Sequence, residues 1–220
     1  MTRLFSWLNS YLNNYSRESR DQSMKIIKKS SITLLLIPLA VLFGSSVIAQ
    51  DFSSHWGINA HVPSHAAMDK MVECGITWFR ADFPSSDNNN WDIYDQLVTG
   101  SKARGLEFFA TIFPSWAGEP PAGGWDRWED FVYRIVLHFK GSVRYWGIVN
   151  ELNSEPQWTL DQYVELVKRA YAGAKRADST SQIVAPEFYY GGQWQQQLAY
   201  FLDHALNYVD VIDHHYYLEN

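Results

Sequence analysis

The sequence predicts an α/β protein folded as a (β/α)8 TIM barrel, incomplete, with about six strands and five intervening helices present. Short apolar runs alternate strictly with longer amphipathic ones from residue 56 onward, which implies parallel strands joined by helical crossovers. No G-x-G-x-x-G follows the first strand, so a doubly wound dinucleotide-binding sheet loses its main support. Polar and aromatic residues instead gather at the C-terminal ends of the strands, the rim where barrels carry chemistry.

The elements follow in order. Trp56–His61 (WGINAH) is the first strand, and Ala66–Cys74 is a helix closing on Gly75. Ile76–Phe83 (ITWFRADF) is the second strand, with a polar loop after it at residues 85–90. Tyr94–Arg104 repeats apolar residues every three to four positions and stops at Gly105, where a left-handed cap is expected. Leu106–Phe113 is the third strand and is followed by a Pro/Gly-rich loop over 114–124. The cycle continues with helix Trp128–Phe139, strand Val143–Val149, helix Leu160–Ala177, strand Ile183–Tyr189, helix Gln195–Leu206 and strand Val209–Tyr216. Trp78 and Trp146 fall inside strands and are expected in the core, as is Cys74, read as a small buried hydrophobe.

Of the 220 residues, 46% are hydrophobic and 16% aromatic, enough to bury a core and to exclude disorder and low-complexity architectures. One Cys excludes an intrachain disulfide framework or a multi-cysteine metal cluster. A net charge of −6 argues against a general nucleic-acid binder. Residues 24–49 combine Lys25, Lys28 and Lys29 with a short apolar run, Ile32 to Phe43, and a small-x-small ending at Ala49. They read as a signal peptide cleaved near Ala49, for a secreted or periplasmic product with no stable membrane span. The apolar run is shorter than the roughly 20 residues that cross a bilayer. Residues 1–23 read as a mis-assigned upstream extension, with Met24 the expected start, and residues 50–220 as the folded domain. Removing the first 49 residues takes six Lys/Arg and two Asp/Glu, leaving 12 basic against 22 acidic side chains. Such a surface favours solubility and is not drawn to anionic membranes.

Val143–Trp158 (VRYWGIVNELNSEPQW) carries the most chemical information. An apolar strand runs straight into Asn150-Glu151, placing an amide and a carboxyl at its C-terminal lip. Glycosidic cleavage needs a carboxylic acid that hands its proton to the leaving oxygen, and an adjacent amide can hold a sugar hydroxyl. Taken alone, Asn150-Glu151 also reads as a cap for the helix at 160–177 or as a solvated pair. His61 either touches substrate or caps a loop. Arg80 and Asp82 share one face by period two, so an internal ion pair competes with substrate contact. Trp116, with Trp91, Trp125, Trp158 and Trp194, lies in or beside loops, where indoles stack on the C–H faces of sugars. His214 and His215 point to opposite faces of a strand and so do not share a metal. No metal and no cofactor is expected.

On GINAH, GITWFRADFP, ATIFPSWAG, HFKGSVRYWGIVNELN and VDVIDHHYY, the chain resembles the retaining (β/α)8 glycoside hydrolases of clan A, particularly families 39 and 5, from Trp56 to Tyr217. The resemblance implies an enzyme acting on β-glycans or their oligosaccharides. It makes Glu151 the acid/base and Asn150 a substrate-binding amide. It also places Arg80 beside the nucleophile and brings His215 and Tyr217 to the sugar. Gly147, Val149 and Leu152 depart from the family's usual W-E-I-W-N-E-P-N, where Glu, Trp and Pro stand. The family's nucleophile is a second Glu on strand seven; Glu187 at the end of strand five and Asp213 in strand six do not match its position, so the expectation is a barrel truncated after strand six. A non-catalytic carbohydrate-binding protein on a decayed barrel is the alternative.

Overall fold

The computed structural model describes residues 56–83, 91–114 and 124–216. The expected signal peptide, the extension before it, the loop at 85–90, Trp116 and Tyr217 lie outside the described residues. Five strands form one parallel sheet in chain order: β1 (Gly57–Asn59), β2 (Trp78–Phe83), β3 (Glu107–Ile112), β4 (Tyr145–Ile148) and β5 (Gln182–Val184). Each crossover carries one helix: α1 (His65–Glu73), α2 (Asp92–Lys102), α3 (Trp125–His138) and α4 (Leu160–Ala177), with α5 (Trp194–Ala205) after β5.

The register sorts the two faces of the sheet. Phe79, Ala81 and Phe83 of β2 align with Phe108, Ala110 and Ile112 of β3, then with Trp146 and Ile148 of β4 and Ile183 of β5. All are fully or almost fully buried, in one core with Trp128, Ile135, Leu166 and Phe201 from the helices. This layer provides the main hydrophobic stabilisation. Trp78, Arg80 and Asp82 align on the opposite face with Glu107, Phe109 and Thr111, then with Tyr145 and Gly147. That polar and aromatic face is the one that lines the cleft described below.

Helix ends follow local chemistry. Ser64 caps α1 by accepting from the Ala67 amide at 3.2 Å. Thr159 and Gln162 form a reciprocal capping box at the start of α4. Gly105 has φ +68, the left-handed conformation expected after α2. Where α3 and α4 cross, a Cβ on Gly173 would meet the Glu129 carbonyl at 2.4 Å, so only glycine permits that approach.

Three expectations are corrected. The strand expected over 209–216 is reduced to two isolated parallel bridges, Val184 to Val211 and Phe188 to His214, and β5 stops at Val184. Pro186 lies between the bridges and has no N–H to donate, so the ladder is interrupted there. Its flanks still pair, with the Ala185 amide on the Val211 carbonyl at 3.1 Å and the His215 amide on the Phe188 carbonyl at 3.0 Å. Cys74 is exposed, because it is the C-terminal cap of α1 and not part of its apolar stripe. Trp146 is in the core, whereas Trp78 falls on the other face of the sheet and borders the cleft. Among the described residues no helix is long and apolar enough to cross a membrane.

Candidate active site

A cleft of about 380 Å3 opens on the polar face of the sheet at the C-terminal ends of the strands. Arg80 from β2, Asn150 and Glu151 just past β4, and Asp213, His215 and Tyr216 from the segment bridged to β5 all line it, with Trp78 and Phe109 as aromatic walls.

The backbone after β4 is unusual. Val149 and Glu151 have φ of 60° and 53°, the two positive values at non-glycine positions among the described residues. Such conformations cost of order 1–3 kcal/mol each and persist only where the surroundings enforce them. Here the Val149 amide donates to the Ile112 carbonyl at 3.0 Å, and the Glu151 amide donates to the Glu187 carbonyl at 2.8 Å. The main chain is thereby pinned to β3 on one side and to the segment after β5 on the other, and the Glu151 side chain lines the cleft. A further clamp lies just beyond. The Asn153 side chain accepts from the Tyr189 amide at 2.8 Å, and donates to the Tyr189 carbonyl at 3.1 Å and to Gln197 at 3.0 Å.

His215 Nδ1 lies 2.7 Å from Glu151 Oε1, so a proton can be shared between acid and imidazole. His215 Nε2 lies 3.9 Å from Asp213 Oδ2. The neighbouring His214 turns the other way and stacks on Trp194, with centroids 4.4 Å apart. Burial lowers the pKa of His214, and His215 nearby adds to the effect.

Beneath Glu151 lies a buried carboxylate. Arg80 Nη2 donates to Glu187 Oε2 at 2.5 Å and to Asn150 Oδ1 at 2.9 Å, tying amide, guanidinium and carboxylate together. The Arg80–Asp82 contact weighed from the sequence is the looser one, at 3.9 Å. Glu187 is fully buried, with Thr111 Oγ1 donating to it at 3.4 Å. Burial pushes its carboxyl up to about 8; Arg80 opposes this less strongly, and the negative Asp213 adds to it. A Cβ on Gly147 would come within 1.8 Å of Glu187 Oε1. The space left by Gly147, where the resembled motif has a Glu, is thus filled by a carboxylate from the neighbouring segment.

The structure brings together four of the sequence-predicted residues, Arg80, Asn150, Glu151 and His215. His61 does not line the cleft; it is exposed and lies 3.2 Å from Asp82. Trp116 and Tyr217 are outside the described residues. Trp91 and Trp158 are buried, which removes them as sugar platforms. The capping role weighed for Asn150-Glu151 is corrected too, because Thr159 caps α4. Glu187 and Asp213 were weighed from the sequence only as stand-ins for the nucleophile, and not as partners of Arg80 and His215. The signal available was the pair of departures, a Gly within the strand-four motif and an acidic residue directly after Pro186. Glu187, Asp213 and His215 also bring potential ligand atoms within 4.8 Å of one another. The Arg80 guanidinium lies against Glu187 and places a positive charge beside that cluster, which disfavours a cation there.

No family model and no curated protein matches the sequence. Solved structures do. A glucosidase from Croceicoccus marinus is 17% identical with a TM-score of 0.57, over 73% of this chain and 43% of that one. A family 39 β-xylosidase from Caulobacter crescentus is 18% identical with a TM-score of 0.56, over 73% and 46%. An endoglucanase from the hyperthermophilic Thermotoga maritima is 17% identical with a TM-score of 0.53, over 70% and 55%. The chain spans about half the length of these structures or less. It has their glycosidase-like fold, a parallel sheet with interleaved helices that makes up part of a TIM barrel.

Proposed function

We propose that the chain carries the acid/base half of an exported retaining glycosidase that cleaves O-glycosidic bonds of β-glycans or their oligosaccharides. The observation that supports this best is Glu151, presented at the lip of β4 in a left-handed conformation with His215 at 2.7 Å and the Arg80–Asn150 pair beside it in the same cleft.

In the first step the bond between the anomeric carbon and the leaving oxygen breaks, and that oxygen takes the proton of Glu151. A second carboxylate forms the new bond to the anomeric carbon. In the second step Glu151 accepts a proton from water as the water oxygen displaces that carboxylate, so the anomeric configuration is retained. Asn150 holds a sugar hydroxyl, and His215 and Tyr216 shape the wall. Glu187 is unsuited to the nucleophile's role, since its carboxylate has no exposed surface. Asp213 is the other carboxylate that lines the cleft among the described residues. By resemblance the nucleophile belongs to strand seven, beyond the strand units described here. Export follows from the signal peptide expected at residues 24–49.

The test is the anomeric configuration of the first product, followed by NMR, when the chain within a completed barrel acts on cello- and xylo-oligosaccharides. Retention is expected. Inversion overturns the double displacement, and binding without hydrolysis favours the non-catalytic reading.

A further inference from the structure

The mechanism above leaves unused the most deeply buried charged group near the site. Glu187 lies directly after Pro186, outside the cleft lining, yet it touches Arg80 and the Glu151 backbone directly and reaches Asn150 through Arg80. Its Oε2 accepts from Arg80 Nη2 at 2.5 Å. The same guanidinium nitrogen donates to Asn150 Oδ1 at 2.9 Å. Its main-chain carbonyl accepts from the Glu151 amide at 2.8 Å, one of the bonds that hold Glu151 at positive φ. Arg80 Nε is buried with no hydrogen-bond partner among the described residues. Its Nη1 lies 3.9 Å from Asp82 Oδ1 and its guanidinium 5.9 Å from the Phe109 ring centroid, so the bonds of Nη2 to Glu187 and Asn150 are its short polar contacts. Gly147 leaves the room: its missing Cβ would sit 1.8 Å from Glu187 Oε1 and 2.9 Å from Phe109 and Thr111.

A carboxylate in this setting is a poor choice for stability alone. Taking a charge out of water is costly even when it is paired, and a neutral group of the same volume often serves the fold better. Glu187 is therefore better explained by what it does to its neighbours.

We propose that Glu187 is a positioning residue: its carboxylate, lodged over Gly147, fixes Arg80 and through it Asn150, while its carbonyl fixes the backbone of Glu151. A single residue thus supports the sugar-binding amide and the acid from below without touching substrate. The assignment of roles to Asn150 and Glu151 rests on the glycosidase reading; the mechanical coupling does not.

The test uses the 220-residue chain and its E187Q variant, which keeps the volume and removes the charge. The Arg80 Nε–H and Asn150 side-chain amide signals are followed by NMR, thermal unfolding is recorded at pH 8.5, and both proteins are titrated with cellobiose and xylobiose. Positioning predicts a melting temperature equal to or above that of the parent, displaced Arg80 and Asn150 signals, and affinity for the disaccharides weakened about tenfold or more. G147A, which crowds the carboxylate, is expected to displace the same two signals. Unchanged Arg80 and Asn150 signals in E187Q overturn the proposal, as does a lower melting temperature with those signals intact, the mark of a purely structural residue. Where the parent binds neither disaccharide, the NMR comparison alone decides the role of Glu187, and the glycosidase reading is left to the configuration test in the completed barrel. Should E187Q not fold, a pH titration of the parent decides: a common midpoint for the Glu187 carboxyl carbon and the Arg80 Nε–H supports the coupling, and independent behaviour overturns it.

Discussion

At the scale of single residues, the cleft is organised by competition between burial and pairing at Glu187. Burial wins, leaving its carboxyl raised to about 8 from an ordinary value of 4.5 despite Arg80 at 2.5 Å. The consequence for stability has a definite sign. Between about pH 4.5 and 8 the folded chain keeps a proton that the unfolded chain releases, so this group's contribution to stability falls as pH rises and levels off above about 8. In E187Q that slope is absent. Urea unfolding of both proteins at pH 5.5, 7 and 8.5 should show the parent losing stability relative to E187Q with rising pH; parallel profiles would contradict the raised carboxyl. Such a cost is consistent with a residue retained for the site. Asn150, Glu151, Arg80 and His215 were legible from their strand ends together with the family resemblance. Glu187 was visible at a strand end as well, but its supporting role was not. Its role depends on a three-residue contact among Arg80, Gly147 and Glu187, which lie on three separate strand units.

At the scale of elements, the sequence read best where local chemistry and packing agree. Helix α4 was expected at Leu160–Ala177 and is found there, since its amphipathic period and its Thr159/Gln162 capping box point the same way. Replacing Thr159 by Ala should cost about 1 kcal/mol in equilibrium unfolding, whereas Asn150→Ala should leave α4 unaffected in its hydrogen-exchange protection. Loss of α4 protection in Asn150→Ala would restore the capping role that the structure assigns to Thr159. The expected sixth strand failed for a local reason that pattern reading underweighted. Pro186 leaves the segment just after β5 without a donor, so the pairing with residues 211–214 survives only at its two ends. Trp78 was misplaced for a different reason, because an apolar run in a strand does not reveal which face each residue takes when both faces carry large side chains.

At the scale of the whole molecule, the sheet is built as two surfaces with separate duties. The side with Phe79, Phe108, Ile112, Trp146 and Ile183 packs under the helices and holds the fold together. The side with Arg80, Phe109 and Thr111 carries the cleft, and Glu151 and His215 meet at its C-terminal rim. The alternation of strand and helix runs implied the parallel sheet, while the division of its faces appears in the register. The chain shares its fold with glycosidases at only 17–18% identity, as a fold tolerates extensive substitution that keeps hydrophobic patterning. The central claim is that Glu151 is the proton donor. It is tested most directly by comparing Glu151→Gln with the parent, in a completed barrel, on an unactivated β-disaccharide and on the matching 2,4-dinitrophenyl β-glycoside. A proton donor at Glu151 predicts a loss of about 100-fold or more on the disaccharide, and a much smaller loss in the bond-breaking step for the dinitrophenyl substrate, whose leaving group needs no proton. Small and equal losses on the two substrates would contradict it.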